Sequence, residues 1–308
     1  MQADQPAQVG LTVFTTAKPF AGHSAIIQRN ALRSWSLLEP RPEILLMGDE
    51  EGYQEAATDV GAVRILDLER NEFGTPLLSG IIRSGREHGK GRVLMFINAD
   101  IILPPLFAEA VALAESRLSR FLLVGRRVDL DVGQPVTFGD GWYERLAEQV
   151  AADGRIRGDL CIDYFAFTRD LFADIPPFAI GRTRYDNWLI WRAAEEGAVV
   201  VDASSFVKVI HQNHDYGHTG GLIKAWEGAE AKRAEELLGH WSHYHSIAHA
   251  TFMLGPSGEV KPAQGLRYSL ARPRRVIGQL LRSTRPLRRR AKVLLAPRLP
   301  KAERDKVG

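Results

Sequence analysis

The residues that most constrain the fold are Val93 to Ile97, five consecutive apolar side chains that run into Asn98-Ala99-Asp100. Five residues are too few for a helix. An uninterrupted apolar run of this length reads as a strand buried on both faces, as in a parallel sheet covered by helices. Residues two apart on an extended chain project to the same side, so the Asn98 carboxamide oxygen and the Asp100 carboxylate are expected to converge beyond the strand's carboxyl end. Ligands of open α/β sheets sit there. A carboxylate beside a second oxygen suits a hard divalent ion such as Mg²⁺ or Mn²⁺, which keeps waters and is completed by phosphate oxygens. The plain alternative is a solvated aspartate and a turn-forming asparagine.

The flanking sequence supports a sheet of this kind. Leu11–Thr16 reads as a first strand, broken by Lys18-Pro-Phe-Ala-Gly22, and a helix is expected from His23 or Ser24 to about Leu38, stopped by Pro40 and Pro42. Glu43–Met47 is a second strand ending in Gly48-Asp49, followed by a short helix from Gln54, a strand over Val63–Asp67 and a helix from Pro76 to about His88. After the central strand the pattern predicts helix over Pro105–Leu118, strand over Phe121–Val124, helix around Trp142–Ala152 and an aromatic strand over Cys161–Thr168. Next come the loop Ile180–Asp186, a helix from about Asn187 to Glu196, and short strands at Val199–Val201 and Phe206–Ile210. Alternation of strands and helices predicts an α/β fold with a mixed, mostly parallel sheet flanked by helices.

Composition narrows the class further. The 308 residues are 45% hydrophobic and 25% charged, as in ordinary globular proteins, so one large or two modest domains are allowed. A single cysteine, Cys161, excludes an intramolecular disulfide and a multi-cysteine zinc site. With no signal-like amino terminus and no long apolar run, a cytoplasmic protein is expected. Charge is uneven: residues 271–308 hold 13 Lys/Arg against 2 Asp/Glu, whereas residues 1–270 hold 27 against 35. The body is acidic and the tail basic.

Over residues 9 to about 220 the order of parts resembles the GT-A fold of nucleotide-diphospho-sugar glycosyltransferases, family-two-like and of a bacterial branch. The resemblance is carried by T-V-F-T-T at the first strand end, L-L-M-G-D at the second, F-I-N-A-D-I-I-L in place of an Asp-x-Asp motif, G-R-T-R-Y-D-N-W-L before the late helix, and histidines after the last strand. It implies that Thr15, Thr16 and Asp49 hold the nucleoside, that Asn98 and Asp100 stand at the metal and ribose, and that a histidine completes the shell of Mn²⁺ or Mg²⁺. Asn98 departs from the pattern and removes a negative charge.

Glycosyl transfer from a nucleotide-diphosphate sugar sets chemical requirements that specific residues can meet. The leaving diphosphate must be stabilised by a metal or by cationic side chains, and Arg182 and Arg184 occupy a loop suited to bidentate contacts with it. An inverting transfer needs a base for the acceptor hydroxyl. Asp186, where the loop meets a helix, is the candidate, although the position equally suits a helix cap; Asp163 or Asp129 would be the substitute. His211 and His214 follow a predicted strand and offer imidazole to the ion, His214 being preferred.

Two further stretches complete the expectations. The run His240–His249 has the composition of a metal site, but Ser246–Leu254 and Glu259–Pro262 read as a hairpin around Gly255-Pro-Ser-Gly258, where helical ligand spacing has no meaning. The transferase domain is expected over 9–262. The extension 263–308 carries apolar residues among arginines, a composition suited to an anionic membrane surface and to a saccharide or lipid-linked acceptor of envelope, surface polysaccharide or glycolipid synthesis. Nucleic acid is not expected, since the body is acidic. The alternatives are a sugar-nucleotide nucleotidyltransferase, for which the Phe14–Gly22 loop is a poor triphosphate binder, and a non-catalytic nucleotide- or carbohydrate-binding protein.

Overall fold

A computed structural model describes residues 10–214 and 228–271. Its centre is the pair β1 (Leu11–Thr15) and β4 (Val93–Ile97), every residue of which is buried. They run parallel with Leu11 opposite Val93 and Phe14 opposite Phe96. Such strands have no face to give to water, so helices must cover both sides. β2 (Glu43–Met47) and β3 (Val63–Ile65) continue the sheet in parallel beyond β1. Beyond β4 lie β9 (Tyr164–Thr168), β6 (Phe121–Val124), β10 (Val199–Asp202), β12 (Phe252–Leu254) and β13 (Val260–Pro262), giving the order β13-β12-β10-β6-β9-β4-β1-β2-β3. β9 is antiparallel to both neighbours and β13 to β12, and the other pairings are parallel, so the mixed, mostly parallel sheet is as expected.

Alternation along the strands divides the core in two. Phe14, Phe96, Phe165 and Phe167 face α3 (Leu78–His88), α6 (Tyr185–Glu195) and α7 (Ala229–Leu238). Val13, Met95, Ile97 and Ala166 face α1 (Gly22–Ser36), α2 (Tyr53–Val60) and α4 (Phe107–Arg117). Burying such side chains contributes about 1.5–3 kcal/mol each before entropy is charged against it.

A second sheet, not anticipated from the sequence, branches off the first. It has the order β5-β11-β7-β8, from β5 (Ile101–Ile102), β11 (Val209–Gln212), β7 (Arg127–Leu130) and β8 (Arg155–Ile156). Only Asn98-Ala99-Asp100 separates β4 from β5, so these three residues form the corner between the sheets. Ile102, Leu130 and Ile210 pack with Leu146 of α5 (Trp142–Asp153) in a small core of their own. Helix α1 fixes this sheet through buried polar groups. Asn30 donates to Gln212 Oε1 (2.9 Å), and the Gln212 amide donates to the Ile27 and Asp100 carbonyls at 2.8 and 3.1 Å. Trp35 Nε1 donates to the Ile101 carbonyl at 2.8 Å.

Several boundaries differ from expectation. The strand expected at Phe206–Ile210 lies at Val209–Gln212, because Phe206 and Val207 are spent in a turn donating to the Ala203 carbonyl; His211 is thus inside the strand rather than after it. The aromatic strand starts at Tyr164, not Cys161, and the late helix at Tyr185, with Arg184 at its N-cap at φ +90°. Between 240 and 249 the chain forms two 3₁₀ turns, Trp241–His243 and Ile247–His249, and the predicted hairpin is confined to β12 and β13. Arg267 and Tyr268 tie the chain after Pro262 to Asp202 at 2.9 and 2.7 Å. Residues 272–308, and with them all but the first residue of the basic stretch, lie outside the described residues.

Candidate functional site

The corner between the sheets opens into a cavity of about 410 Å³ at the carboxyl ends of β1, β2 and β4. Its lining brings together Thr16, Lys18 and Glu50 from the first strand ends, Gln28 from α1, Asn98, Asp100, Arg127, Asp163, His211 and His214 from the corner, and Phe73–Pro76 with Ile180–Arg182 from two loops.

The polar end is built by strand register. β11 sits between β5 and β7, with His211 opposite Ile101 on one side and Asp129 on the other. His211 Nε2 is 3.7 Å and His214 Nε2 3.0 Å from Asp100 Oδ2. Among the described residues, Asp100, His211 and His214 form the group of three whose ligand atoms all lie within 4.8 Å of one another. Asp100 Oδ1 is buried without a hydrogen-bond partner, which costs about 1–3 kcal/mol or more unless a cation or water meets it. Burial alone would push the Asp100 carboxyl up, but His211, His214 and Arg127 together hold it well below the usual carboxylate range. One ionised carboxylate and two imidazoles, with one carboxylate oxygen unspent, fit a divalent transition-metal ion.

Asn98 has a specific local cause. β9 runs antiparallel to β4, so the Asn98 N–H donates to the Asp163 carbonyl (2.9 Å) and its side-chain amide donates to Asp163 Oδ1 (2.8 Å). A carboxylate at position 98 would face that of Asp163 at the same distance, whereas the amide supplies the proton. Asp163 also accepts from Arg127 Nη1 at 2.9 and 2.8 Å, and Arg127 Nε donates to Asp129 at 2.8 Å. This chain of contacts, Asn98–Asp163–Arg127–Asp129–His211, half-buried to buried, underlies the Asp100–His211–His214 cluster. Arg127 was missed in the sequence and Asp129 and Asp163 were only substitutes; the alternation Arg127-Val128-Asp129-Leu130, polar residues toward the site and apolar toward α5, is the signal that marks the strand.

The remaining candidates divide. Thr16 lines the cavity, while the Thr15 hydroxyl is spent on the Ile97 carbonyl at 2.6 Å and braces β1 against β4. Asp49 lies outside the lining, exposed and paired with Arg64; its neighbour Glu50 takes the place, with Oε1 paired to Arg70 and Oε2 buried and unpartnered. Arg182 lines the cavity and is held by Glu230 of α7 through Nε (2.8 Å) and Nη2 (2.5 Å). Glu230 also accepts from Asn71 Nδ2 at 2.7 Å, which joins both lining loops to α7. Arg184 stays outside, its guanidinium 4.8 Å over the Trp241 ring and 5.6 Å over Tyr244.

Asp186 does not line the cavity but follows Tyr185 and neighbours Asp163, which do. Burial pushes its carboxyl up to about 7, against the Asn187 N–H that Oδ1 accepts at 2.9 Å, and the Asp163 charge adds to the rise. A carboxylate of that affinity is suited to take a proton near neutral pH. The histidines of 240–249 are engaged with rings: His243 stacks on Trp191 at 3.9 Å and His245 on His249 at 4.2 Å.

No family model matches the chain, and no curated protein matches it in sequence. Among solved structures it is similar to glucosyl-3-phosphoglycerate synthase from Mycobacterium tuberculosis, at 16% identity over 77% of this chain and 81% of that one, with a TM-score of 0.48. The same synthase in complex with Mn²⁺ and uridine-diphosphate-glucose matches at 16% identity, 77% and 80% coverage and a TM-score of 0.45. A further mycobacterial protein matches at 15% identity, 84% and 83% coverage and 0.46. At these scores the likeness assigns neither family nor activity.

Proposed function

We propose that this protein is a metal-dependent glycosyltransferase that moves a sugar from a nucleotide-diphosphate sugar to an acceptor hydroxyl. The observation that carries the proposal is the Asp100–His211–His214 cluster at one end of a cavity formed by the carboxyl ends of the central strands. Those three residues would hold Mn²⁺ or Mg²⁺, and the bound ion would supply positive charge to the departing diphosphate.

This chain's own residues take the other roles. Thr16 and Glu50 lie at the strand ends suited to the nucleoside, and the unpartnered Glu50 oxygen offers an acceptor to a base N–H. Arg182 is assigned to the diphosphate, in exchange for Glu230. Arg184, committed to Trp241 and Tyr244, is not. The raised affinity of Asp186 supports its role as the base that takes the acceptor proton, which corresponds to an inverting transfer. An acceptor that is a saccharide or lipid-linked, in envelope or surface polysaccharide or glycolipid synthesis at the cytoplasmic face, agrees with the basic residues of 271–308 meeting anionic lipid. Among the described residues no helix is long and apolar enough to cross a membrane.

Incubation of the full chain with UDP-, GDP-, CDP-, dTDP- and ADP-sugars and Mn²⁺, with release of nucleoside diphosphate as the readout, tests the assignment. One donor class should be turned over, and D186N should lower the rate by about 10²–10⁴-fold. No turnover of any donor, with binding retained, would favour a binding protein; turnover of a nucleoside triphosphate with a sugar phosphate would favour the nucleotidyltransferase.

A further inference from the structure

Asp129 stands outside the ligand cluster, yet strand register places it directly behind one of the ligands. β7 and β11 run parallel, and Asp129 and His211 are register partners, so their side chains share a face. His211 Nδ1 lies 3.2 Å from Asp129 Oδ1, within ion-pair distance though not aligned as a hydrogen bond, and His211 Nε2 lies 3.7 Å from Asp100 Oδ2. One ring nitrogen faces an acid and the other faces the cluster. Asp129 is itself clamped, by Arg127 Nε at 2.8 Å and by Arg157 Nε at 3.4 Å.

A carboxylate beside Nδ1 favours a proton on that nitrogen, which leaves the Nε2 lone pair for an ion. Imidazole is a good donor to first-row transition ions and a poor one to Mg²⁺, which demands oxygen ligands in a near-ideal octahedron. Asn98 adds to the bias, because its amide is drawn to Asp163 and no second carboxylate stands two residues before Asp100.

We propose that Asp129 is a positioning residue that locks His211 with Nε2 toward Asp100, completing a site of one carboxylate and two imidazoles that takes Mn²⁺-type ions in preference to Mg²⁺. This rests on the assignment of Asp100, His211 and His214 as a divalent-metal site. The network Arg157–Asp129–His211, with Arg127 shared between Asp129 and Asp163, is then the outer layer of the metal centre rather than a set of surface ion pairs.

Calorimetric titration of Mn²⁺ and of Mg²⁺ into the full chain, with and without UDP or GDP, tests this in wild type, D129A and H211A. Wild type should bind Mn²⁺ the more tightly. D129A should weaken Mn²⁺ binding by about 10–100-fold, H211A should weaken it at least as much, and neither should weaken Mg²⁺ comparably. Long-range ¹H–¹⁵N spectra should show His211 protonated on Nδ1 in wild type and a mixture of tautomers in D129A, a change that loss of a structural ion pair alone would not produce. Should D129A fail to fold, D129N, which keeps an acceptor oxygen without the charge, should give the same losses in smaller measure. Unchanged Mn²⁺ affinity in these Asp129 variants, or equal affinity of wild type for the two ions, overturns the inference alone. No divalent binding to wild type overturns the metal site with it.

Discussion

The two sheets divide the work between them. The nine-stranded sheet is built of strands such as β1 and β4, buried on both faces, and it contributes position: it ends at the corner and delivers Asn98 and Asp100 there. The four-stranded sheet has two- to four-residue strands, a core of a few side chains, and contributes chemistry, namely Arg127, Asp129 and His211 on one face. The first is held by apolar area; the second is held as much by buried polar bonds to α1 and to the corner. Stability and function therefore respond to different substitutions in each.

Breaking the charge network of the small sheet should have the largest destabilising effect. Arg127 pairs with both buried Asp163 and half-buried Asp129, and R127M would leave Asp163 with only the Asn98 amide and Asp129 with Arg157 and His211, for a loss of about 3 kcal/mol in chemical denaturation at pH 7.5. A loss below about 1 kcal/mol, the range of exposed pairs, would show that the network is solvated.

Asp186 sharpens the comparison from the side of the large sheet. Its folded affinity is raised to about 7, above the ordinary carboxylate range, so the folded state holds a proton that the unfolded state has released. Stability from this group is complete below about pH 4 and is lost as pH rises through 7. D186N should therefore be more stable than wild type at pH 8, by up to about 4 kcal/mol, and equal to it at pH 4. Melting curves of both proteins across that range measure the difference.

Restoring the missing acid at the corner should do harm. N98D would set a second carboxylate against Asp163 in place of an amide that donates at 2.8 Å, so about 1–3 kcal/mol should be lost at pH 8. If N98D instead strengthens Mn²⁺ binding with no loss of stability, the account of Asn98 is wrong. The smallest effect is expected at Gln212, whose amide joins the small sheet to α1 and to the Asp100 carbonyl. Q212A should cost about 1–2 kcal/mol, and hydrogen exchange should rise in β5 and β11 before it rises in β1 and β4.

The same division explains what could be read in the sequence. Val93–Ile97 announced its strand because an apolar run needs no partner to be recognised, and the place of Asp100 just beyond its end followed from it. β5, β7 and β8 passed unnoticed because strands of two to four residues carry little local signal; β5 and β7 pair with Val209–Gln212, some 80–110 positions away, and β8 pairs with β7. On α1 the apolar positions were visible, but Gln28, Asn30 and Ser34 are buried polar residues whose burial depends on distant carbonyls and amides, among them those of Lys18, Leu103 and Val136. Arg182 and Arg184 looked alike in the loop. Their different fates were set by Glu230 and Trp241, about fifty residues further on, which local sequence does not reveal.

The central claim is that the corner of the two sheets is a metal-dependent nucleotide site, and thermal unfolding tests it most directly. The full chain is melted with UDP, GDP, CDP, dTDP or ADP, each with and without Mn²⁺, alongside D100A. At about a hundred times its dissociation constant, a ligand should stabilise the protein by about 2.7 kcal/mol. The account predicts that one diphosphate stabilises wild type only with Mn²⁺ present and that D100A abolishes the shift. Stabilisation that ignores Mn²⁺, or that survives in D100A, would contradict it.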